Sequence, residues 1–463
     1  MTTGHTDSEL RDAVTGIKAA LDVVDLMVVL LKICRRHASA VMAASQDEKK
    51  REQLWKRAAR LEEAAAKTFT SKGLSSKTRT FAIDTLNRAS DLALTARALA
   101  LGVDMAMQDL DPKAYSKLCA KWGTRVLQEG DPYPTPSADL DSMYGPGGFS
   151  ARPRANAGTA VDRVDGLALW PSSPLRVIYD TDAGTHLDDA LGQTVDILAV
   201  SPNSNLGDFD FALSANKSFR LQVKDTNGQD GIVQRALQKA SALNADILVT
   251  PELSCTTSTV GLIVKTLAGL GDRRPRIVIA GGSHIRIGKK HWNRLSTIYT
   301  GHNPYVVTHD KIGRYAISLP GGQECEENIS RSTELRIHAG INWSMIPLIC
   351  ADFLTDYVVD AVSDLCPRLV VVPSMSSKTG DFGRRMGEVI SKTQALVAVV
   401  NGPPEWPSGK PPYVTKAPVV VIGLPLADSR KWLIERSAKP SAKAPYTVLF
   451  RSLKRTARLT SGQ

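Results

Sequence analysis

From residue 8 to about 128, apolar positions recur at spacings of three and four, the period of a helix face. Leu10, Val14, Ile17, Leu21, Val24, Val28 and Leu31 form one such stripe. Val23, Leu26, Met27, Val29 and Leu30 widen it until the segment is apolar nearly all round, which predicts a central bundle helix. Ser45 and Glu48 have the spacing of a capping box and predict the start of a second helix carrying Leu54, Ala58, Leu61 and Ala65. A third helix is predicted over about 78–101, and a fourth from Asp111–Pro112, with Tyr115, Leu118, Trp122 and Val126 on one side. These segments together predict an all-helical domain over 1–128 whose role is packing or contact with a protein partner.

Beyond it the pattern breaks. Pro132, Pro134, Pro136, Pro146, Pro153, Pro171 and Pro174, mixed with glycine and serine, predict a linker over 129–174. Short apolar runs then alternate with helical patterns. The runs at 195–200, 247–249, 277–280, 296–300, 305–308, 344–349, 369–372 and 396–400 read as buried strands. Helices are predicted near 229–243, 257–269, 353–365 and 383–394. This alternation predicts an α/β layered domain over 175–450, followed by a basic C-terminal tail over 451–463. In such domains reactive groups collect where loops leave the carboxyl ends of strands.

Composition narrows the partners. With 463 residues, 43% apolar and 23% charged, the chain is globular in character and long enough for two or three domains. Its formal charge of +11 invites a nucleic-acid reading. Residues 425–463, however, hold nine Lys/Arg against only Asp428 and Glu435, so most of the excess is local. That distribution argues against a nucleic-acid groove and for an appendage that docks on a subunit or an acidic partner. The longest apolar run, Val23 to Cys34, is interrupted by Asp25 and Lys32 and is too short for a membrane span. The N-terminal stretch has no signal-peptide pattern, so the expectation is a cytoplasmic protein with no membrane partner. The six cysteines include no CxxC pair, which argues against a zinc ribbon and for reduced thiols. A thiol in that setting is either core filler or a working nucleophile.

Three predicted strands end in reactive side chains. Leu-Val-Thr-Pro-Glu-Leu places Glu252 just beyond one, Val-Thr-His-Asp-Lys places Lys311 at the end of another, and Leu-Ile-Cys-Ala-Asp places Cys350 at a strand-to-helix turn. A carboxylate can take a thiol proton, the thiolate can attack an amide carbon, and an ammonium with the Ala351 amide can stabilise the oxyanion. A helix N-terminus beside the sulfur would also lower the thiol pKa. Cys255 and Cys366 read as packing thiols and His309 as structural or exposed, while His284 and His291 stay unassigned.

These motifs, 59 and 39 residues apart in the order Glu, Lys, Cys, resemble the carbon–nitrogen hydrolase (nitrilase and amidase) superfamily over about 194–424. Leu-Val-Val-Val-Pro-Ser and the strand ending at Asn401 resemble the units that follow the nucleophile. The resemblance implies a nitrilase-like four-layer α-β-β-α sandwich and a homo-oligomer. It further implies hydrolysis of a non-peptide C–N bond, of amide or carbamoyl type, through an acyl-enzyme without a cofactor. Cys350 would be the nucleophile, Glu252 the general base and Lys311 the oxyanion partner. A second glutamate is implied in Gln-Glu-Cys-Glu-Glu-Asn (323–328). There Glu326 best fits the pattern Cys-Glu-x-Asn, with Glu324 and Glu327 as alternatives. Ala351, where nitrilases tend to carry Trp, favours a small amide-type substrate over a nitrile. The Gly-x-Ser motif usual after the Asn401 position is missing. The helical domain, which simple amidases lack, supports a second reading: a nitrilase-like sensor or scaffold that binds a small ligand and signals through its helices.

Overall fold

The computed structural model describes residues 7–69, 74–111, 113–135, 161–192, 195–214, 217–301, 303–318, 324–408, 413–425, 432–436, 446–453 and 456–461, the last three segments as backbone. Contacts divide the chain into two units, one of residues 1–123, 127–139 and 151–172, the other of 124–126, 140–150 and 173–463. The middle of the expected linker, 136–160, lies outside the described residues, while 161–170 belong with the helices.

In the first unit the long apolar stripe forms two helices, α1 (Asp7–Ala19) and α2 (Val23–Arg36). The break falls at Asp22, which is extended and whose carboxylate accepts from the amides of Val24 and Asp25 at 2.9 and 3.2 Å. Leu21, part of the stripe in sequence, is 82% exposed at that corner. Ser45 does not open a helix. It lies near the end of α3 (Ala38–Gln46), and Asp47 caps α4 (Glu48–Ala66) through the Lys50 amide. The expected third helix is likewise two, α5 (Ser76–Asn87) and α6 (Leu92–Leu110), divided where Asp91 caps the Leu94 amide. A short α7 (Ala114–Ala120) follows; Pro112 lies outside the described residues. Helix α6 is buried on nearly every side, and α4 crosses it at Gly102, where a Cβ would stand 2.7 Å from the Ala58 carbonyl.

Strand β1 (Arg125–Val126) belongs to the second unit, whereas β2 (Pro132–Pro134) and β3 (Leu167–Leu169) pair antiparallel beside the helices. Arg35 holds that strap, donating to the Asp162 carboxylate at 3.1 and 2.8 Å and to the carbonyls of Leu169 and Trp170.

The second unit is mixed α/β. In chain order it contains β4 (Arg176–Asp180), α8 (Thr181–Ala190), β5 (Asp196–Ser201), β6 (Phe209–Leu213), β7 (Ser218–Val223), α9 (Thr226–Leu243), β8 (Ile247–Val249) and α10 (Thr257–Gly269). Then come β9 (Ile277–Ile287), β10 (Lys290–Tyr299), β11 (Tyr305–Asp310), β12 (Ala316–Ser318), β13 (Glu324–Glu327), β14 (Glu334–Ala339) and β15 (Ser344–Pro347). The remainder is α11 (Asp356–Leu365), β16 (Leu369–Ser374), α12 (Gly380–Thr393), β17 (Leu396–Asn401), β18 (Glu405–Pro407), β19 (Val414–Lys416), β20 (Val420–Pro425), β21 (Trp432–Arg436), β22 (Tyr446–Leu453) and β23 (Thr456–Ser461). Two large sheets result among the described residues, in the orders β1-β4-β14-β15-β16-β17-β20-β21 and β11-β10-β9-β8-β5-β22-β23.

Strands β15, β16 and β17 run parallel, as do β5, β8 and β9, and their continuous apolar runs follow from burial on both faces. Leu198, Val200, Leu248 and Val278 share one core with Val233 and Leu237 of α9 and Ile263 of α10. The alternate residues Ile197, Ala199, Ile247 and Ile279 are equally buried, and β9 meets β16 while β5 meets β17. On the other large sheet, Ile390 of α12 packs over Gly423 of β20. The expected boundary at 450 falls inside β22, which pairs antiparallel with β5. Residues 451–453 and 456–461, expected as a tail, therefore continue the sheet. Among the described residues no helix is long and apolar enough to cross a membrane.

Candidate active site

Strand ends bring the reactive groups together. Glu252 lies three residues beyond β8, Lys311 directly follows β11, and Cys350 opens a 3₁₀ turn, Cys350–Leu354, after β15. The Lys311 Nζ donates to Glu252 Oε1 at 2.6 Å and to Glu327 Oε2 at 2.7 Å. Asn293 of β10 donates through Nδ2 to both carboxylates, at 2.8 and 2.9 Å. The Cys350 thiol faces the Met375 carbonyl at 4.0 Å and lies near enough to the Glu252 carboxylate for each to shift the other's pKa. All five side chains are buried.

Glu326, the expected second glutamate, is not among them. Strand β13 alternates in burial, so Cys325 and Glu327 point inward while Glu324 and Glu326 face out. Glu326 instead pairs with Arg314 at 3.2 Å on the surface. The inward glutamate is also held by His284, whose Nε2 lies 2.8 Å from Glu327 Oε1, and by the Tyr315 amide at 3.2 Å. The Leu221 amide of the β6–β7 hairpin donates to the other His284 nitrogen. The His284 tautomer follows from that donor: Nδ1 accepts, so Nε2 carries the proton toward the carboxylate.

A second buried carboxylate joins the lysine loop to the nucleophile turn. Asp352 Oδ1 accepts from the amides of Ile312 and Gly313 at 2.8 and 2.7 Å. Its Oδ2 meets the Ile349 amide and His309 Nε2, at 3.1 and 2.9 Å. His309 is therefore structural, as expected, but buried. Cys350 itself has φ +43° and Leu253, after the base, φ +62°, both in the left-handed region that non-glycine residues enter at a cost. Two pivots of this kind, one at the thiol and one directly after Glu252, mark a backbone held in place by its surroundings.

The electrostatics separate the two glutamates. Burial pushes the Glu252 carboxyl up; Lys311 opposes this and the charge on Glu327 adds to it, leaving it above the ordinary range. Burial also acts on Glu327, but Lys311 and His284 outweigh it and hold that carboxyl far below the ordinary range. For Lys311 the burial effect is overcome by the two carboxylates, so the ammonium persists. The Cys350 thiol is pushed well up by burial and by Glu252. The expected lowering by a helix N-terminus is absent because a 3₁₀ turn, not a helix, follows the sulfur. At rest the site thus holds a thiol, a carboxylate able to take a proton, an ammonium, and a second carboxylate that stays ionised. Paired carboxylates with pKa values driven apart are the usual arrangement for acid–base work.

The structure thus brings Glu252, Lys311 and Cys350 together with Glu327, one of the two alternatives to Glu326, and with Asn293 and His284. No protein-family model and no curated protein matches the chain. Among solved structures it is similar to an amidase of the nitrilase superfamily from Nesterenkonia sp. AN1, with 13% identity over 56% of this chain and 90% of that one, at a TM-score of 0.40. A variant of that amidase, carrying the result of Michael addition of acrylamide at its active-site cysteine, is similar at 13% identity over 55% and 92%, with a TM-score of 0.40. A CN-hydrolase superfamily protein from Xanthomonas campestris, with an arsenic adduct in its active site, is similar at 12% identity over 56% and 90%, with a TM-score of 0.36.

Proposed function

We propose that the second unit is a nitrilase-like α-β-β-α sandwich that hydrolyses a non-peptide C–N bond, of amide type, through a thioester acyl-enzyme. One observation carries this reading. The Glu252 carboxylate accepts from the Lys311 ammonium at 2.6 Å and lies near enough to the Cys350 thiol for each to shift the other's pKa, all three groups being buried and each supplied by a different strand end. As the sulfur attacks the amide carbon, its proton passes to Glu252. The oxyanion that forms is met by the Lys311 ammonium and the Ala351 amide. Glu252 then gives the proton to the departing nitrogen, the C–N bond breaks, and an amine or ammonia leaves a thioester on Cys350. Water attacks that thioester with Glu252 as base, releasing a carboxylic acid and restoring the thiol. Glu327 stays ionised throughout and, with Asn293, holds Lys311 and Glu252 in register.

The test is ammonia release over a panel of small amides and carbamoyl compounds, with intact-mass detection of an acyl adduct. The Cys350→Ala variant is expected to lose turnover and adduct together. Turnover retained in that variant would end this reading.

A further inference from the structure

A cleft of about 410 Å³, separate from the catalytic cluster, opens between β10 and β11 of one large sheet and β4 and β14 of the other, and arginines from several segments converge on it. Arg176 comes from β4, Arg294 from β10, Arg336 from β14 and Arg331 from the loop before β14. Two carboxylates line the same walls, and both are already committed. Asp310 takes Arg294 in a bidentate pair at 2.6 and 2.7 Å. Glu334 is shared by Arg176 and Arg336 at 2.5 and 3.1 Å, and Arg336 also reaches the buried Asp180 at 2.6 Å.

Three carboxylates, Asp310, Glu334 and Asp180, thus balance three guanidinium groups and fix their directions, and the charge of Arg331 is left in excess. Arg331 is exposed and has no partner among the described residues. Thr308 and Thr333 add hydroxyls to the wall, and Trp292 adds an indole face. Guanidinium groups present forked donors that match oxyanions carrying several oxygens. The cleft volume lies in the range of small-molecule sites and exceeds what one phosphate group needs.

The geometry points to a binding site for a small molecule bearing an anionic oxyanion group, of the phosphate-ester or carboxylate class. Such a ligand would sit one residue away from the catalytic machinery. His309 lines the cleft and holds Asp352, and the Ser332 amide donates to the Lys311 carbonyl at 3.0 Å. The site is nevertheless independent of the hydrolase reading, because no residue of the thiol cluster lines it.

Calorimetric titration of the full chain with pyrophosphate and with citrate, at fixed ionic strength, tests this. The expected result is saturable one-site binding of at least one probe; pyrophosphate alone assigns the phosphate class and citrate alone the carboxylate class. Arg331→Glu, which breaks no contact of the fold, is expected to weaken binding by about tenfold or more. Lys265→Glu, on the exposed face of α10, is expected to leave binding unchanged, as is Cys350→Ala. Absence of binding by both probes, or equal binding by Arg331→Glu and the parent, overturns the site. Loss of activity in Cys350→Ala with binding retained would separate this site from the catalytic one.

Discussion

Glu326 and Glu327 differ by one position and by nearly everything that matters for chemistry. Successive residues of a strand face opposite ways, so a one-residue shift exchanges solvent for the core. Glu327 accepts from Lys311, Asn293 and His284, all with buried side chains, whereas Glu326 pairs with Arg314 on the surface. Removing the charge at Glu327 leaves the Lys311 ammonium with one carboxylate and frees it to move from Glu252. The Glu327→Gln variant is therefore expected to lose about a hundredfold or more in kcat/KM. Glu326→Gln, which breaks one surface pair, is expected to stay within about twofold. Steady-state rates on any amide turned over by the parent decide this, and the reverse ranking would place the second glutamate at 326.

The elements that carry the site were legible to different degrees. Runs such as Ile247–Val249, Leu369–Val372 and Leu396–Val400 are apolar throughout, so sequence alone locates β8, β16 and β17 within two residues. Glu252, Lys311 and Cys350 follow because each ends or closely follows such a run. Glu327 stayed one of three alternatives, because Glu-Cys-Glu-Glu lacks the apolar alternation that would show which side faces in. Strand β13 exists through its partners: it pairs antiparallel with the neighbouring β12 and parallel with β7, a segment far earlier in the chain. The missed signal was the pair Gly281–Gly282 inside β9, since adjacent glycines in a strand mark close backbone approach. A Cβ at Gly281 would lie 1.6 Å from the Pro251 carbonyl, and one at Gly282 would lie 2.5 Å from Asn293 Oδ1. The first glycine lets the loop bearing Glu252 press against β9, and the second leaves room for Asn293. Gly281→Ala is accordingly expected to cost about 2–3 kcal/mol, seen as a lowered denaturation midpoint, and to reduce turnover beyond the loss of folded protein. An unchanged midpoint would mean that the loop has room to retreat.

At the scale of the whole molecule, the helical unit depends on a buried acid where only apolar periodicity was visible. Asp104 projects from α6 and accepts from the amides of Asp165 and Gly166 at 3.0 and 3.2 Å, so it anchors the strap that bears β3. Its neighbours in sequence, Val103 and Met105, gave no sign of this, because the partner amides lie some sixty residues away. Burial, with the nearby Asp165, pushes the Asp104 carboxyl up to about 7 from an ordinary value of 3.8, despite the amides that favour its charge. The sign follows from linkage. A carboxyl whose pKa is higher folded than unfolded favours the folded state when protonated, fully so below about 4. That contribution is lost as pH rises through the window up to about 7. The loss across the window is on the order of 4 kcal/mol, felt first where α6 meets the strap. Hydrogen exchange of the α6 amides in the full chain, corrected for the intrinsic pH dependence of exchange, should show protection falling between pH 5 and 7. Asp104→Asn keeps an acceptor for one of the two amides and cannot ionise, so its protection should be nearly flat across the same window. A parent profile as flat as the variant's would mean that the acid titrates in its ordinary range and that the strap is held mainly by Arg35 and its contacts to Asp162, Leu169 and Trp170.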